Sequence, residues 1–249
     1  MHADRDMVPA PLLATELFKG LAGASLNAVM SRFARRDYGR GTVIFREGDA
    51  GDGIYVIESG RVRTFSTTAY GYEVTTGLWS RGYVLGLISS VSGAPRVLSA
   101  GTIDEASLLH LRREELNPLV SEVQVFGWNL MKMLAFIASS GVARATRLAT
   151  ESVPARLAET LVALAEMPDC STDGHGALIQ GISHEEIANM VSATRPWVTR
   201  TLAEFERQGY VGCERRRITI PDLPALRKLA AQLAERNSPL MFTNRQTLP

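Results

Sequence analysis

At 249 residues and 45% hydrophobic content, the chain is long enough for two globular domains with ordinary cores. Its 27 basic and 26 acidic residues leave a net charge of only +1, so overall charge makes no case for nucleic acid and any such case must be local. Two cysteines exclude a disulfide framework or a four-cysteine metal or Fe–S site, and no signal-peptide core or run near the ~18 apolar residues of a membrane span is seen, which predicts a cytoplasmic protein without membrane contact.

Residues 1–11 carry Pro9 and Pro11 without periodicity and are expected to form a flexible tail. Residues 12–34, with Leu12, Leu17, Phe18, Leu21, Leu26, Val29 and Phe33, suit short packed helices. From Arg35 to Leu111, short β-rich runs are broken by glycine: 42–45, 53–58, 61–66, 73–79, 83–88, 96–103 and 107–111. Their near-regular spacing predicts an all-β sandwich or barrel. The pair IYVIES-G-RVRTF reads as a hairpin turning at Ser59-Gly60.

Pro118 to about Thr150 reads as one long helix. Val123, Phe126, Leu130, Met133, Ile137 and Ser140 recur along it at spacings of three and four. That heptad-like seam predicts self-association; the plainer alternative is a helix packed on its own domain. Ser152 caps the next helix, with Pro154 in its first turn and Leu157, Leu161 and Leu164 on its apolar face. Residues 168–176 form a loop by composition.

Ile182–Val211 then reads as two capped helices with a tight break. Ser183 and Glu186 make a capping box before Ile187, Ala188 and Val191. After Ser192-Ala193, Thr194 is a second cap, opening a helix with Trp197, Val198, Leu202 and Phe205 on its apolar face. Arg195, Thr199 and Arg200 project from the other side, Pro196 sits in the first turn, and Gly209 closes the helix. This is a helix-turn-helix, whose second helix enters the major groove. Arg195 to Arg217 holds six arginines against three glutamates, a local charge able to hold phosphates. Tyr210–Cys213 and Arg217–Ile220 read as a β-hairpin wing, Asp222–Ala234 as a last amphipathic helix, and the tail from Asn237 has no pattern.

The order of these segments resembles the Crp/Fnr superfamily of bacterial transcription regulators over nearly the whole chain. GTVIFREGDAGDGIYVIESGRV (41–62) is similar to the cyclic-nucleotide-binding β-roll. PARLAETLVALAE (154–166) with 182–211 is similar to the winged helix-turn-helix, and a long helix joins the two. The resemblance implies an α+β fold: a β-roll effector domain at 12–117, a dimerisation helix at 118–150 and a DNA-binding domain at 151–236. It implies a homodimer with an effector pocket between roll and helix, and with RNA polymerase as a further partner. Two recognition helices would read a two-fold symmetric double-stranded site.

Carried over residue by residue, Arg195 and Arg200 match arginines that contact guanine or backbone in the catabolite-activator branch; an arginine fork matches guanine's two acceptors. Thr194 and Thr199 flank them. Pro196 replaces the glutamate between them, which predicts a half-site departing from a TGTGA-like sequence. Trp197 stands where the family is small or polar, so it either packs on backbone sugar or joins the core. Arg215, Arg216 and Arg217 in the wing suit phosphates. Ser192 replaces a frequent glycine and is expected at φ > 0.

In the family's nucleotide cassette, a Gly-Glu pair precedes an Arg-Ser pair. Here it reads Gly86-Leu87 and Arg96-Val97. Arg96 keeps the capacity to hold an anion, whereas Leu87 and Val97 remove the ribose and phosphate contacts. The base-contacting pair of the helix falls at Gly141-Val142, with Ser139-Ser140 just upstream. A small molecule other than cyclic AMP is therefore expected; cyclic AMP or cyclic GMP, no ligand, or a cofactor are the alternatives. No phosphate loop, zinc spacing or nucleophile elbow supports an enzyme. His2, His110, His175 and His184 match no haem position; His110 is expected in the core and His184 towards solvent. A ligand-binding module that contacts protein rather than DNA is the rival of another class.

Overall fold

The computed structural model describes residues 10–168, 170–173 and 176–236. Residues 1–9 of the tail expected at 1–11, His175, part of the loop expected at 168–176 and the tail from Asn237 lie outside the described residues; residues 10 and 11 are helical, and 171–173 are strand rather than loop. The chain forms two compact units that divide between Ser140 and Gly141.

The first unit begins with helices α1 (Ala10–Leu13) and α2 (Gly23–Met30). Its strands are β1 (Phe33–Tyr38), β2 (Val43–Phe45), β3 (Gly53–Ser59), β4 (Val62–Thr67), β5 (Glu73–Trp79), β6 (Val84–Leu85), β7 (Ser99–Thr102) and β8 (Ala106–Arg112), with helix α3 (Leu87–Ser92) between β6 and β7. They make two antiparallel four-stranded sheets, ordered β1-β8-β3-β6 and β2-β7-β4-β5. In β3, every residue from Gly53 to Glu58 is buried, because its two faces serve two cores. Successive strand side chains point to opposite faces. Ile54 and Val56 pack with Leu109, Leu111, Val29 and Phe126 under the helices. Tyr55 and Ile57 pack with Val62, Ala100 and Leu108 between the sheets.

The expected hairpin at Ser59-Gly60 does not form. β3 pairs with β8 and β6, whereas β4 pairs with β5 and β7 in the other sheet. Gly60, at φ 80, is a crossing point between sheets, where a Cβ would collide with the Glu105 carbonyl. The run 83–88 is strand only at Val84–Leu85; Gly86 takes φ 75 and starts α3. The run 96–103 is strand only at 99–102. β1 was not expected, because FARRDY is exposed along most of one edge strand and shows no apolar alternation.

The single helix expected from Pro118 is two: α4 (Arg113–Glu122), with Pro118 inside it, and α5 (Gln124–Thr150). Val123 breaks the helical path at φ −124, ψ 85 and is buried in the core. By length and composition α5 reaches what a membrane span requires, contrary to the expectation that no run approaches it. Its inner face is already occupied: Asn129 Nδ2 donates to Leu17 O (3.1 Å) and Lys19 O (2.8 Å) between buried Phe126 and Leu130.

The second unit holds the end of α5, then α6 (Val153–Ala165), β9 (Ser171–Asp173), β10 (Gly176–Gln180), α7 (His184–Met190), α8 (Arg195–Arg207), β11 (Gly212–Glu214), β12 (Arg217–Ile220) and α9 (Leu223–Arg236). Ser152 accepts from Ala155 N (3.4 Å) as the expected cap of α6. The wing is longer than the hairpin read from sequence: β10 and β9 extend it to a sheet ordered β11-β12-β10-β9. β10 falls where glycines and a short GALIQ run mask the strand pattern. Leu157, Leu161, Ile187, Val198, Leu202, Phe205, Ile218 and Leu226 make the core that fixes α8.

Candidate nucleic-acid interface and effector site

The capping box of α7 forms as its residues require. Ser183 Oγ accepts from Glu186 N (3.2 Å) and Glu186 Oε2 accepts from Ser183 N (2.7 Å). Ile187 and Ala188 fix the buried face of α7. The break follows at Ser192, a non-glycine residue at φ 52, as expected from its place in the turn. Thr194 occupies the N-cap position of α8, yet its side chain makes no cap bond, which leaves its hydroxyl at the exposed entrance of the helix.

The amphipathic pattern orients α8. Val198, Thr201, Leu202 and Phe205 are buried, so the opposite face carries exposed Arg195, Pro196, Thr199, Arg200 and Ala203. Trp197 does not join the core: it is 49% exposed, at the flank of the reading face, and Thr201 takes the buried place beside Val198. Thr201 tolerates burial because its hydroxyl donates to Trp197 O (2.9 Å). His184 is half-buried rather than solvent-facing, with Nδ1 3.1 Å from Thr199 Oγ1. Burial and the neighbouring Arg195 charge push its ring below the ordinary histidine range, which favours the neutral form beside Thr199.

In the wing, Arg215, Arg216 and Arg217 are all exposed. Arg216 sits at the tip with φ 56, and its guanidinium lies 3.6 Å from Glu186. Arg217 lies 3.6 Å from Glu214. Gly181 N donates to Arg216 O (2.9 Å), which fixes the wing against the start of the helix-turn-helix.

The residues expected to form the effector cassette are not gathered into one open site. Arg96 is 2% exposed and engaged by the chain itself. Its Nη1 donates to Gly86 O (2.9 Å) and Ser89 Oγ (3.3 Å), and its Nη2 donates to Asp52 Oδ1 (2.6 Å) and Gly53 O (2.7 Å). The guanidinium also stacks 4.2 Å from the Phe45 ring centre. Leu87 is buried in the apolar core, and Val97 is 58% exposed. Ser139 and Ser140 are exposed on α5, Ser139 donating back to Phe136 O (3.0 Å).

Sequence reasoning missed the partners of Arg96. Asp52, in the GDAGD run, also accepts from Tyr55 Oη (2.6 Å), and His110 Nε2 stands 3.5 Å from it. His110 is core, as expected, and stacks on Tyr55. Burial works to raise Asp52, but hydrogen bonds from Tyr55 and Arg96, with the charges of His110 and Arg96, hold it below its usual range. Burial first, and then Arg36, pushes His110 below the ordinary histidine value. The acidic residue just before IYVIE was the available signal for this network. Among the described residues, no group of three or more His, Cys, Asp or Glu could hold a metal ion.

Of the residues expected to form a self-association seam, all but the exposed Ser140 pack on the chain itself. Val123, Phe126 and Leu130 are buried in the first unit's core, and Met133 and Ile137 pack partly against it. They face their own domain. At ~100° per residue, a second stripe runs along the opposite side. It carries Trp128 (62% exposed), Met131 (50%) and Phe136 (66%), large apolar side chains without cover among the described residues. Its spacing is less regular than the first, and the more regular stripe is the one the chain's own domain takes; periodicity alone does not say what covers a stripe.

Comparison with known proteins accords with this architecture. Residues 35–123 match the cyclic nucleotide-binding domain family, and residues 155–229 match the Crp-like helix-turn-helix domain family. The chain is 31% identical over 218 residues to the "Cyclic AMP receptor protein" of Thermus thermophilus, covering 88% of this chain and 98% of that one. It is 27% identical to the "CRP-like cAMP-activated global transcriptional regulator" of Mycobacterium tuberculosis, covering 86% and 96%. The solved structure of the Thermus thermophilus catabolite activator protein superposes with a TM-score of 0.51 at 30% identity, covering 88% and 100%. The c-di-GMP-responsive regulator CLP of Xanthomonas campestris shares the fold, with a TM-score of 0.67 at 21% identity over 79% and 97%. These relatives are transcription regulators rather than enzymes, and the chain belongs to the Crp/Fnr family of DNA-binding transcription regulators.

Proposed function

We propose that the protein is a cytoplasmic homodimeric regulator that reads a two-fold symmetric DNA site with α8 and answers to a signal other than cyclic AMP. The observation that carries the DNA reading is the joint exposure of Arg195, Thr199 and Arg200 on one face of α8, while the other face is locked in the core. Arginine supplies a bidentate fork for guanine, and Thr194, Thr199 and Trp197 flank it against backbone or base. Arg215, Arg216 and Arg217 serve phosphates from the wing. Pro196 cannot accept from cytosine, so the half-site differs from a TGTGA-like sequence at that pair.

The second copy takes the exposed stripe of α5. Trp128, Met131 and Phe136 lie on one side of α5, and a parallel copy of the helix would cover them, with Lys132 among them. Lys132 within that stripe argues for a protein partner rather than lipid. RNA polymerase is the further partner that a promoter-bound regulator meets.

For the effector, Leu87 is core, and four Arg96 donor contacts go to Gly86, Ser89, Asp52 and Gly53. An incoming phosphate would compete with the Asp52 carboxylate for the same guanidinium. This supports a more apolar small molecule, or no diffusible ligand. A cyclic AMP response is the second reading, favoured by the names of the two sequence relatives. Selection of bound DNA from random duplexes, followed by calorimetry with cyclic AMP, tests the whole reading. A two-fold symmetric consensus and no heat of nucleotide binding are expected. Recovery of an unchanged TGTGA half-site would overturn the part assigned to Pro196, and micromolar cyclic AMP binding would overturn the effector reading.

A further inference from the structure

Two arginines from outside the helix-turn-helix close its turn. A helix end leaves its last carbonyls without intrahelical partners. At the end of α7, Val191 N donates to Ile187 O (3.0 Å), Ala193 N to Ala188 O (2.9 Å) and Ser192 N to Asn189 O (3.2 Å). The next two carbonyls, Met190 and Val191, are met by side chains. Arg144 Nη2 of α5 donates to Met190 O (3.3 Å), and Arg156 Nε of α6 donates to Val191 O (2.9 Å). Arg156 Nη1 also donates to Glu151 O (2.6 Å), the first carbonyl beyond α5. One planar guanidinium therefore ties the end of α5 to the end of α7. Both charges stand at the negative end of the α7 dipole.

The segment these arginines hold has little slack. Ser192 is fixed at φ 52, Thr194 is the N-cap position, and Arg195 is the first residue of α8. A shift of the Met190 and Val191 carbonyls therefore moves the first turn of α8, the turn that carries the reading residues.

We infer that Arg156, assisted by Arg144, is a positioning residue for DNA reading, carrying displacements of the α5–α6 junction into the first turn of α8. This rests on α8 being the reading helix. The test uses the full-length protein and its R156A, R156K and R144A variants. Amide exchange in 192–199 is expected to accelerate roughly tenfold in R156A, the scale of a lost charge-assisted hydrogen bond, while α9 amides keep their protection. The ratio of specific to non-specific DNA affinity is expected to fall roughly tenfold as well. R156K offers a point charge without the fork, so it recovers thermal stability more than it recovers the affinity ratio. R144A, which leaves Arg156 in place, shows a smaller change of the same sign, and it carries the test if R156A does not fold. Unchanged exchange at 192–199, or acceleration spread evenly over 141–236, would overturn the inference. A wild-type protein without any site-specific DNA binding would overturn the reading of α8 instead, while the exchange pattern would still decide whether the clamp exists.

Discussion

Arg195 and Arg200 stand on one exposed face of α8, so each is open to a base edge without rearrangement of the helix. Replacing either by alanine is expected to cost about 1–3 kcal/mol of site-specific binding and to relax preference at one base pair. Fluorescence anisotropy on the selected site and on single-base variants checks this; a uniform loss across all sequences would mark the residue as a phosphate contact. Ser192 tests the turn by itself. At φ 52 a Cβ is disfavoured, so Ser192→Gly is expected to stabilise the protein by about 1 kcal/mol in urea unfolding. These residues were legible in the sequence because capping boxes, a first-turn proline and a closing glycine act locally. Trp197 was not, since an aromatic at the edge of an amphipathic face fits core and flank equally well. Asp52 and its bond to Arg96 join residues 44 apart in sequence, beyond what a local pattern encodes.

Helix α5 shows the same limit for a whole element. Its apolar residues follow two stripes on opposite sides, and the one the sequence shows at spacings of three and four is the one its own domain takes. The β-roll decides, because Asn129 anchors one side to the Leu17 and Lys19 carbonyls and buries Phe126 and Leu130. The two stripes therefore have different consequences when cut back. Phe126→Ala is expected to cost about 3–5 kcal/mol of stability in the first unit, read by chemical unfolding. A Met131→Ser, Phe136→Ser double variant is expected to keep the fold and to shift sedimentation from dimer to monomer, with loss of binding to the symmetric site. A double variant that stays dimeric would place the interface elsewhere. The β-roll strands were read from glycine-punctuated runs, but sheet membership was not. The turn at Gly60 has the length of a hairpin and instead crosses between sheets, a choice made by how β8 and β7 return later in the chain.

At the scale of the molecule, the two units carry different acid sensitivities, and the sign follows from the groups buried in the first. His110 is 2% exposed, and burial puts its folded pKa below the 6.5 of the free ring. Between those values the unfolded chain binds more protons than the folded one. The stabilisation is therefore complete above about 6.5 and is lost as pH falls towards the folded value. Asp52 acts with the same sign at lower pH, its contribution present above 3.8 and lost as pH falls through its lowered value. Asp52 also attracts the protonated ring, which offsets part of the loss from His110. In the second unit His184 shifts in the same direction, but it is only half-buried and water screens it. Acidification from pH 7 to 5 is thus expected to lower the melting of the first unit more than that of the second and to separate two calorimetric transitions. His110→Phe keeps a ring to stack on Tyr55 and removes the titration. It should bring the two transitions back together at pH 5, and a variant that still separates like the wild type would assign the acid sensitivity to groups other than this buried ring.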